Sequence, residues 1–181
     1  MIYFITGKPN SGKSLKAEEL ALSVGDPVRI YVATMQVKDD AGRERVNKHV
    51  RQREGKGFET VEIPYGMHKL YPYLENGSQT TVLMEDLSNL VGNEMYENPE
   101  GKNLLTGDIQ GNLKALENAA QKLAGKITEE LCDLAKKVHC LIIVSAEYEI
   151  SEQYDEETNT YISILNTLND KVKKISDKVL S

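Results

Sequence analysis

Cysteine, surplus basic charge and long apolar runs are what this sequence has least of. Its two cysteines, Cys132 and Cys140, are too few and too close in the chain for a disulfide framework, so both are expected reduced on apolar faces. No apolar stretch approaches the roughly 20 residues that cross a bilayer, so no membrane span is expected. The N-terminus shows no basic region followed by a long apolar core, and a cytoplasmic setting is the expectation that follows. Lysine and arginine number 22 against 28 acidic residues, and a net charge of −6 argues against broad nucleic-acid binding, which needs a basic face. Of the three histidines, His68 follows a turn and His139 precedes an apolar run; neither has a carboxylate or second histidine at ligand spacing, so no zinc or cysteine-nucleophile constellation presents itself. No internal repeat is apparent. What remains, 181 residues with 40% hydrophobic and 28% charged content, suits a single domain over 1–181 with a real core.

The most informative stretch is the first fourteen residues. An apolar run, Ile2 to Thr6, leads into Gly7-Lys8-Pro9-Asn10-Ser11-Gly12-Lys13-Ser14, which fits the phosphate-loop pattern G-x-x-x-x-G-K-[ST] at every fixed position. The two glycines let successive N–H groups point inward at phosphate oxygens. Lys13 is placed to reach the β and γ phosphates, and the Ser14 hydroxyl to complete a Mg²⁺ shell. The helix that begins there turns its positive end to the same anion. A strand-like run before the motif and an amphipathic one after it supply the context that distinguishes a phosphate loop from a chance match.

Leu15, Ala17, Leu20, Ala21 and Val24 recur at helical spacing, Gly25-Asp26-Pro27 closes that helix, and Val28 to Ala33 reads as a buried strand. Residues 1–33 therefore form a β-α-β unit, and Thr34, Met35 and Gln36 fall at the carboxyl end of its second strand, where ligands sit in an open parallel sheet. From Asp39 to Arg53 the chain is highly charged and helix-compatible, with Asp39 or Asp40 available as the N-cap. Arg45, His49 and Arg53 fall four apart on one face. That face is either an ordinary solvated one or a grip for a triphosphate, in which cationic neighbours keep the imidazole neutral and nucleophilic. Phe58 to Ile63 reads as a short strand, residues 67–79 as a short helix and turn, and Thr80 to Met84 as a central strand ending in Glu85-Asp86. Glu85, with Asp86 as the alternative, stands where a phosphate-loop enzyme keeps its Mg²⁺ carboxylate. Residues 89–112 read as an irregular, polar excursion, residues 113–134 as a long covering helix, Cys140 to Ser145 as a buried strand and residues 154–179 as a final helix. The fold expected is α/β: a three-layer, mostly parallel sheet flanked by helices, of the phosphate-loop NTPase (RecA-like) kind.

With Tyr31-Val32-Ala33-Thr34, Asp39-Asp40, Arg45-x-x-x-His49-x-x-x-Arg53, Phe58-x-Thr60-x-Glu62 and Leu83-Met84-Glu85 added to the phosphate loop, the chain resembles the bifunctional adenosylcobinamide kinase and adenosylcobinamide-phosphate guanylyltransferase family of cobalamin assembly. The resemblance is strongest over residues 1–95. It implies that a histidine, here His49, attacks the α-phosphate of GTP to form a covalent intermediate. It also implies nucleotide contacts (GTP or ATP) at Gly7 to Ser14, at Thr34, Met35 and Gln36, at Val50, Arg51, Gln52 and Arg53, at Glu62 and at Glu85, with Mg²⁺ on Ser14 and Glu85. The kinase half would pass the γ-phosphate to a hydroxyl on the aminopropanol arm of the corrinoid, with Lys13 and Mg²⁺ neutralising charge. Assembly as a trimer is implied too.

Three departures stand against that pattern. Ala41-Gly42 replaces a usual Glu-Met pair, and a glycine costs a helix about 1 kcal/mol relative to alanine, which argues against a helix in this segment. After the Cys140 strand, Ala146-Glu147-Tyr148-Glu149-Ile150 lacks the glycines of the usual Asn-Glu-x-Gly-x-Gly. The chain also stops at Ser181, where a last strand would be forming, so the sheet is expected to lose an edge or the terminus to be truncated. Beside the corrinoid transferase, the residues leave two readings open: a phosphate-loop kinase or NTPase for another small molecule, and a nucleotide-binding regulatory protein without turnover.

Overall fold

Short apolar runs separated by charged, amphipathic segments fold into alternating strands and helices. The computed structural model describes residues 1–37, 39–105 and 113–181, with the side chains of Ala41, Arg45 and Leu113 left aside. In chain order the elements are β1 (Ile2–Gly7), α1 (Lys13–Val24), β2 (Val28–Ala33), α2 (Asp40–Arg53), β3 (Phe58–Glu62), β4 (Thr80–Glu85), α3 (Leu87–Tyr96), α4 (Pro99–Leu104), α5 (Leu113–Ala135), β5 (Cys140–Ala146), α6 (Glu156–Ile175) and β6 (Lys178–Leu180), with two 3₁₀ turns between β3 and β4. The strands form one sheet in the order β3-β2-β4-β5-β1-β6, and every pairing is parallel.

Helices cover both faces, which is why β5 is buried along its whole length and β4 at all but its last residue. One face packs Phe4, Val32, Met84 and Ile143 against α3, α5 and α6, with Leu90, Ile127 and Leu165 among the fully or almost fully buried side chains. The other packs Ile5, Tyr31, Leu83 and Ile142 under α1, with Leu20 and Val24 partly buried at its side and Ala17 and Ala21 fully buried at the contact. Those small side chains let α1 lie close to the sheet, so the phosphate-loop helix sits tight against the strand ends. Leu15, expected to face the core, is exposed, and Glu18 takes the buried place beside Ala17 and Ala21.

Four expectations need correction. Residues 87–104 are helical rather than irregular: Asp86 caps α3 by accepting the Asn89 N–H, and Asn98 caps α4 by accepting that of Glu100, with Pro99 in the first turn. The rest of that excursion, residues 106–112, lies outside the described residues. The last helix ends at Ile175 instead of running to 179. The sheet keeps its edge, because β6 pairs with β1 through Tyr3 with Lys178, Phe4 with Val179 and Ile5 with Leu180. Finally, α2 is a helix despite Gly42. That residue stands in its first turn, where its N–H donates to the capping Asp39 carboxylate at 2.6 Å. A Cβ there would press on Asp39 and Met35, at 3.0 and 3.3 Å, so the glycine fits a crowded corner.

Candidate functional site

β1 ends at Gly7, and the chain turns through Asn10 and Gly12, both at positive φ (61° and 85°), into the first turn of α1. Gly12 is the N-cap and offers no side-chain oxygen, so the helix end keeps its N–H groups available to an anion. Lys8 to Gly12 form an exposed rim, while Lys13 is buried and its Nζ donates to the Lys8 carbonyl at 2.6 Å. Burial pushes the Lys13 ammonium below its ordinary value, and the nearby carboxylates of Asp86, Glu85 and Glu147 pull the other way.

The carboxylate at the end of β4 meets this loop. Ser14 Oγ donates to Glu85 Oε1, and the Tyr31 hydroxyl donates to Glu85 Oε2 at 3.1 Å. Burial first, and then the charge of Glu85, push the Tyr31 phenol far up, which keeps it a neutral donor. One hydroxyl and one carboxylate are hard oxygen donors of the kind Mg²⁺ takes, and no cluster of three His, Cys, Asp or Glu side chains suited to a metal exists among the described residues. The pair therefore fits an ion that takes its other ligands from phosphate and water. Asp86, next in the chain, is half-buried; burial and the Glu85 charge push its carboxyl up to about 6, against the hydrogen bonds from Asn89 and the charge of Lys13.

The sheet register extends the site sideways. Glu62 on β3 aligns with Ala33 on β2, and Ala33 with Glu85 on β4, so two carboxylates flank a small residue at the carboxyl edge. Beyond this edge lies a cavity of about 730 Å³, between the strand ends and α2, lined by residues that include Tyr31, Met35, His49, Arg53, Glu62 and Glu85. His49 Nδ1 and Arg53 Nε and Nη1 are buried and have no hydrogen-bond partner among the described residues. Arg53 is only 6% exposed, and its guanidinium stacks 3.3 Å over the Tyr31 ring. A continuous series of contacts thus runs from α2 to α1: Arg53 to Tyr31, Tyr31 to Glu85, Glu85 to Ser14.

α2 is poor in apolar residues and is fixed by other means. Glu18 on α1 is fully buried, and its two oxygens accept from Gln52 Nε2 at 3.0 Å and Lys56 Nζ at 2.7 Å. These bonds and the Arg53–Tyr31 stack orient the end of α2 that carries His49.

The structure brings many of the expected site residues together and scatters others. Met35, Gln36, His49, Val50, Arg53, Glu62 and Glu85 line the cavity, and Lys13 and Ser14 adjoin it through Glu85. Val50 and Arg51 are exposed, Gln52 is engaged by Glu18, and the loop rim at residues 8–12 does not line the cavity. Thr34 is fully buried: its hydroxyl donates to the Asp86 carbonyl and accepts from the Asp86 N–H, which braces the strand end. The side chain of Arg45 lies outside the described residues. Sequence reasoning missed Tyr31 and Glu18. Glu18 had a signal, an acid between Ala17 and Ala21 on the apolar face of α1, whereas the partner that singles out Tyr31 is 22 residues away on another element.

A family model described as cobinamide kinase / cobinamide phosphate guanyltransferase matches residues 3–181. Comparison with curated proteins finds none that matches. Among solved structures, the chain is similar to one described as a prototypical ATPase from the type III secretion system of pathogenic bacteria. The TM-score is 0.60 at 11% identity, over 99% of this chain and 51% of that one. It thus spans about half of that ATPase's length, and at this identity the likeness bears on the fold alone. A second structure, flagellar accessory protein FlaH from Methanocaldococcus jannaschii, aligns with a TM-score of 0.42 at 12% identity, over 94% of this chain and 67% of that one.

Proposed function

The chain belongs to the cobinamide kinase / cobinamide phosphate guanyltransferase family of cobalamin biosynthesis, and on that premise we propose that its guanylyl transfer runs through His49. GTP enters the cavity with its α-phosphate beside the imidazole. A ring nitrogen lone pair forms an N–P bond as the bond from the α-phosphorus to the bridging oxygen breaks, and pyrophosphate leaves. The phosphate of adenosylcobinamide phosphate then takes the guanylyl group, which frees the imidazole. Arg53 holds the α-phosphate oxygens with the N–H groups that lack partners among the described residues. Lys13 and the backbone N–H groups of the loop hold the β and γ phosphates. In the kinase reaction the same loop holds the γ-phosphate in line with the hydroxyl of the corrinoid's aminopropanol arm.

Ser14 and Glu85 are the residues that would hold Mg²⁺, which would supply charge neutralisation at the β and γ phosphates. Tyr31 keeps Glu85 turned toward Ser14. In this reading residues 1–181 act as one nucleotide-binding domain, in the cytoplasm, as a trimer like the family it resembles.

One observation carries the proposal: His49 and Arg53, with buried nitrogen atoms that have no partner among the described residues, line a cavity of about 730 Å³, a size suited to a nucleotide. GTP labelled at the α-phosphate tests it. Wild type should retain acid-labile label after denaturation, γ-labelled GTP should leave none, and His49→Ala should stay unlabelled. An unlabelled wild type, or equal labelling of His49→Ala, would overturn the mechanism.

A further inference from the structure

The segment after β5, where the expected glycines are missing, belongs neither to the cavity nor to the loop rim. Its start is fastened to the phosphate loop: the Glu147 N–H donates to the Gly7 carbonyl at 3.1 Å, and Thr6 Oγ1 donates to the Glu147 carboxylate at 3.2 Å. Farther on, α6 holds it. Asn166 Nδ2 donates to the Tyr148 carbonyl at 3.2 Å, and Asn159 accepts the Ser151 N–H and donates to the carbonyls of Ser151 and Tyr154. The loop has no regular secondary structure, yet the two asparagines and the bond to Gly7 fix its backbone.

What this fixed loop presents to solvent is aromatic and apolar. Tyr148 is 37% exposed, Tyr154 48% and Ile150 61%, and Tyr96 from α3 is 42% exposed. Tyr148, Ile150 and Tyr154 share this one loop, and the Tyr96 hydroxyl hydrogen-bonds to Glu157 in the helix turn that follows it. Burial pushes the Tyr148 phenol up, as do the adjacent Asp86 and Tyr154, and Tyr161 is pushed up by burial and by Asp86, Tyr148 and Tyr96. Tyr161 is tied from beneath, its hydroxyl donating to the Ser88 carbonyl at 3.0 Å. Large exposed rings gathered in one place mark a binding face more often than scattered ones do. The electrostatics narrow the choice of ligand. Residues 146–157 carry six carboxylates and no lysine or arginine; Lys173 of α6 pairs with Glu147 at 3.5 Å, and the remaining acids leave the rings in a negative field.

We propose that this tyrosine face is the platform on which the corrin ring of the substrate lies, with its arm directed to the phosphate loop. The inference rests on the functional reading above. A cobalt(III) corrin bearing an alkyl ligand is a broad, flat macrocycle with net positive charge. Aromatic faces give it large contact area at little cost in side-chain freedom, ring quadrupoles favour its charge, and the surrounding carboxylates attract it. The Glu147–Gly7 hydrogen bond sets the platform beside the loop where the arm's hydroxyl must meet the γ-phosphate. The expected glycine positions fall on Glu149 and Ser151, so one carboxylate of this face stands where a glycine would leave no side chain.

Equilibrium dialysis of adenosylcobinamide against the full chain, with and without GTP, tests the platform. The variants are Tyr148→Ser/Tyr154→Ser and Glu149→Gln/Glu152→Gln, and binding of a fluorescent GTP analogue reports that each is folded. The tyrosine variant should bind the corrinoid about tenfold more weakly while its nucleotide affinity stays within about twofold. The glutamate variant should lose affinity at low salt and resemble wild type at high salt. If the tyrosine variant takes up corrinoid as wild type does, the platform is wrong and the functional reading stands. The platform is equally wrong if the variant's only defect is lost self-association in sedimentation, which would make the face a contact between copies. If wild type binds GTP but takes up no corrinoid under either condition, the platform and the corrinoid substrate fall together.

Discussion

Glu18 carries the clearest consequence at the scale of single residues. It is a carboxylate fully removed from water on the helix that the phosphate loop opens, and both of its partners belong to the segment that carries His49. Glu18→Gln removes the charge that Lys56 answers. Because Lys56 is part-exposed, the stability lost should be about 1–2 kcal/mol, between the values for an exposed pair and a fully buried one. Its more telling effect should be on the labelling of His49, slowed with little change in GTP affinity, as single-turnover labelling against nucleotide titration would reveal. Tyr31→Phe removes the hydroxyl that orients Glu85 and keeps the ring under Arg53. The Mg²⁺ concentration for half-maximal turnover should rise by about tenfold, the usual effect of losing a group that orients a metal ligand. Asp26 lies at the opposite edge of the sheet. Burial alone would raise its carboxyl, but the hydrogen bonds from Thr81 and His139 outweigh that and hold it below the ordinary value. A depressed folded-state pKa adds stability above the unfolded value, near 3.9, and that contribution disappears as pH falls through the folded value. Asp26→Asn should therefore melt lower at neutral pH, by about 1–3 kcal/mol in stability, and lose less than wild type on acidification below about 4, which thermal melts across pH would show.

The elements differ in how well the sequence announces them. β1, β2, β4 and β5 are short apolar runs between turn signals, and α5 keeps a helical apolar stripe, so local pattern and tertiary burial agree there; in α1 they part at Leu15, which is exposed, and Glu18, which is buried. α3 and α4 were obscured because their polar composition and turn-like Pro99-Glu100-Gly101 outweigh the start signals that Asp86 and Asn98-Pro99 supply. Gly101 is there for close approach: a Cβ would stand 2.0 Å from the Glu94 carbonyl oxygen. Gly101→Ala should accordingly cost about 2 kcal/mol or more through displacement of α4 from α3, read as a lower midpoint in denaturant melts. β6 has three residues, too few for an alternating pattern to stand out, and is specified by pairing with β1 and by the Asp177 carboxylate that accepts the Ile2 N–H. For α2 the charged pattern reads equally well as solvated or as functional. The decisive facts, that Arg53 is buried on Tyr31 and that Glu18 clasps Gln52, involve residues far apart in sequence.

At the scale of the whole molecule, the strand order decides what the site can be. The phosphate-loop strand and the strand ending in Glu85 are separated by β5, so Ser14 and Glu85 meet across the end of a third strand. The loop itself was legible from fourteen residues because its chemistry is local, whereas the partner carboxylate depends on a pairing order that periodicity does not state. Spacing raised His49 as one of two readings, and family resemblance supplied its role and the corrinoid; the fold adds how these are mounted: one face of the sheet is braced by three helices, the other leaves the edge near β2 and β3 to α2 and the cavity.

The contacts from Arg53 through Tyr31 and Glu85 to Ser14 make two equilibria into one. A ligand that draws Glu85 away from Tyr31 changes the free energy of holding Arg53 over the ring, and an anion that draws Arg53 off the ring changes the affinity at Glu85 by the same factor. That reciprocity has a sign and a size which a double-mutant cycle on Tyr31 and Arg53, scored by Mg²⁺ and GTP affinities, would measure directly. The two chemistries of the family would then be linked as a thermodynamic pair, through a single phenol.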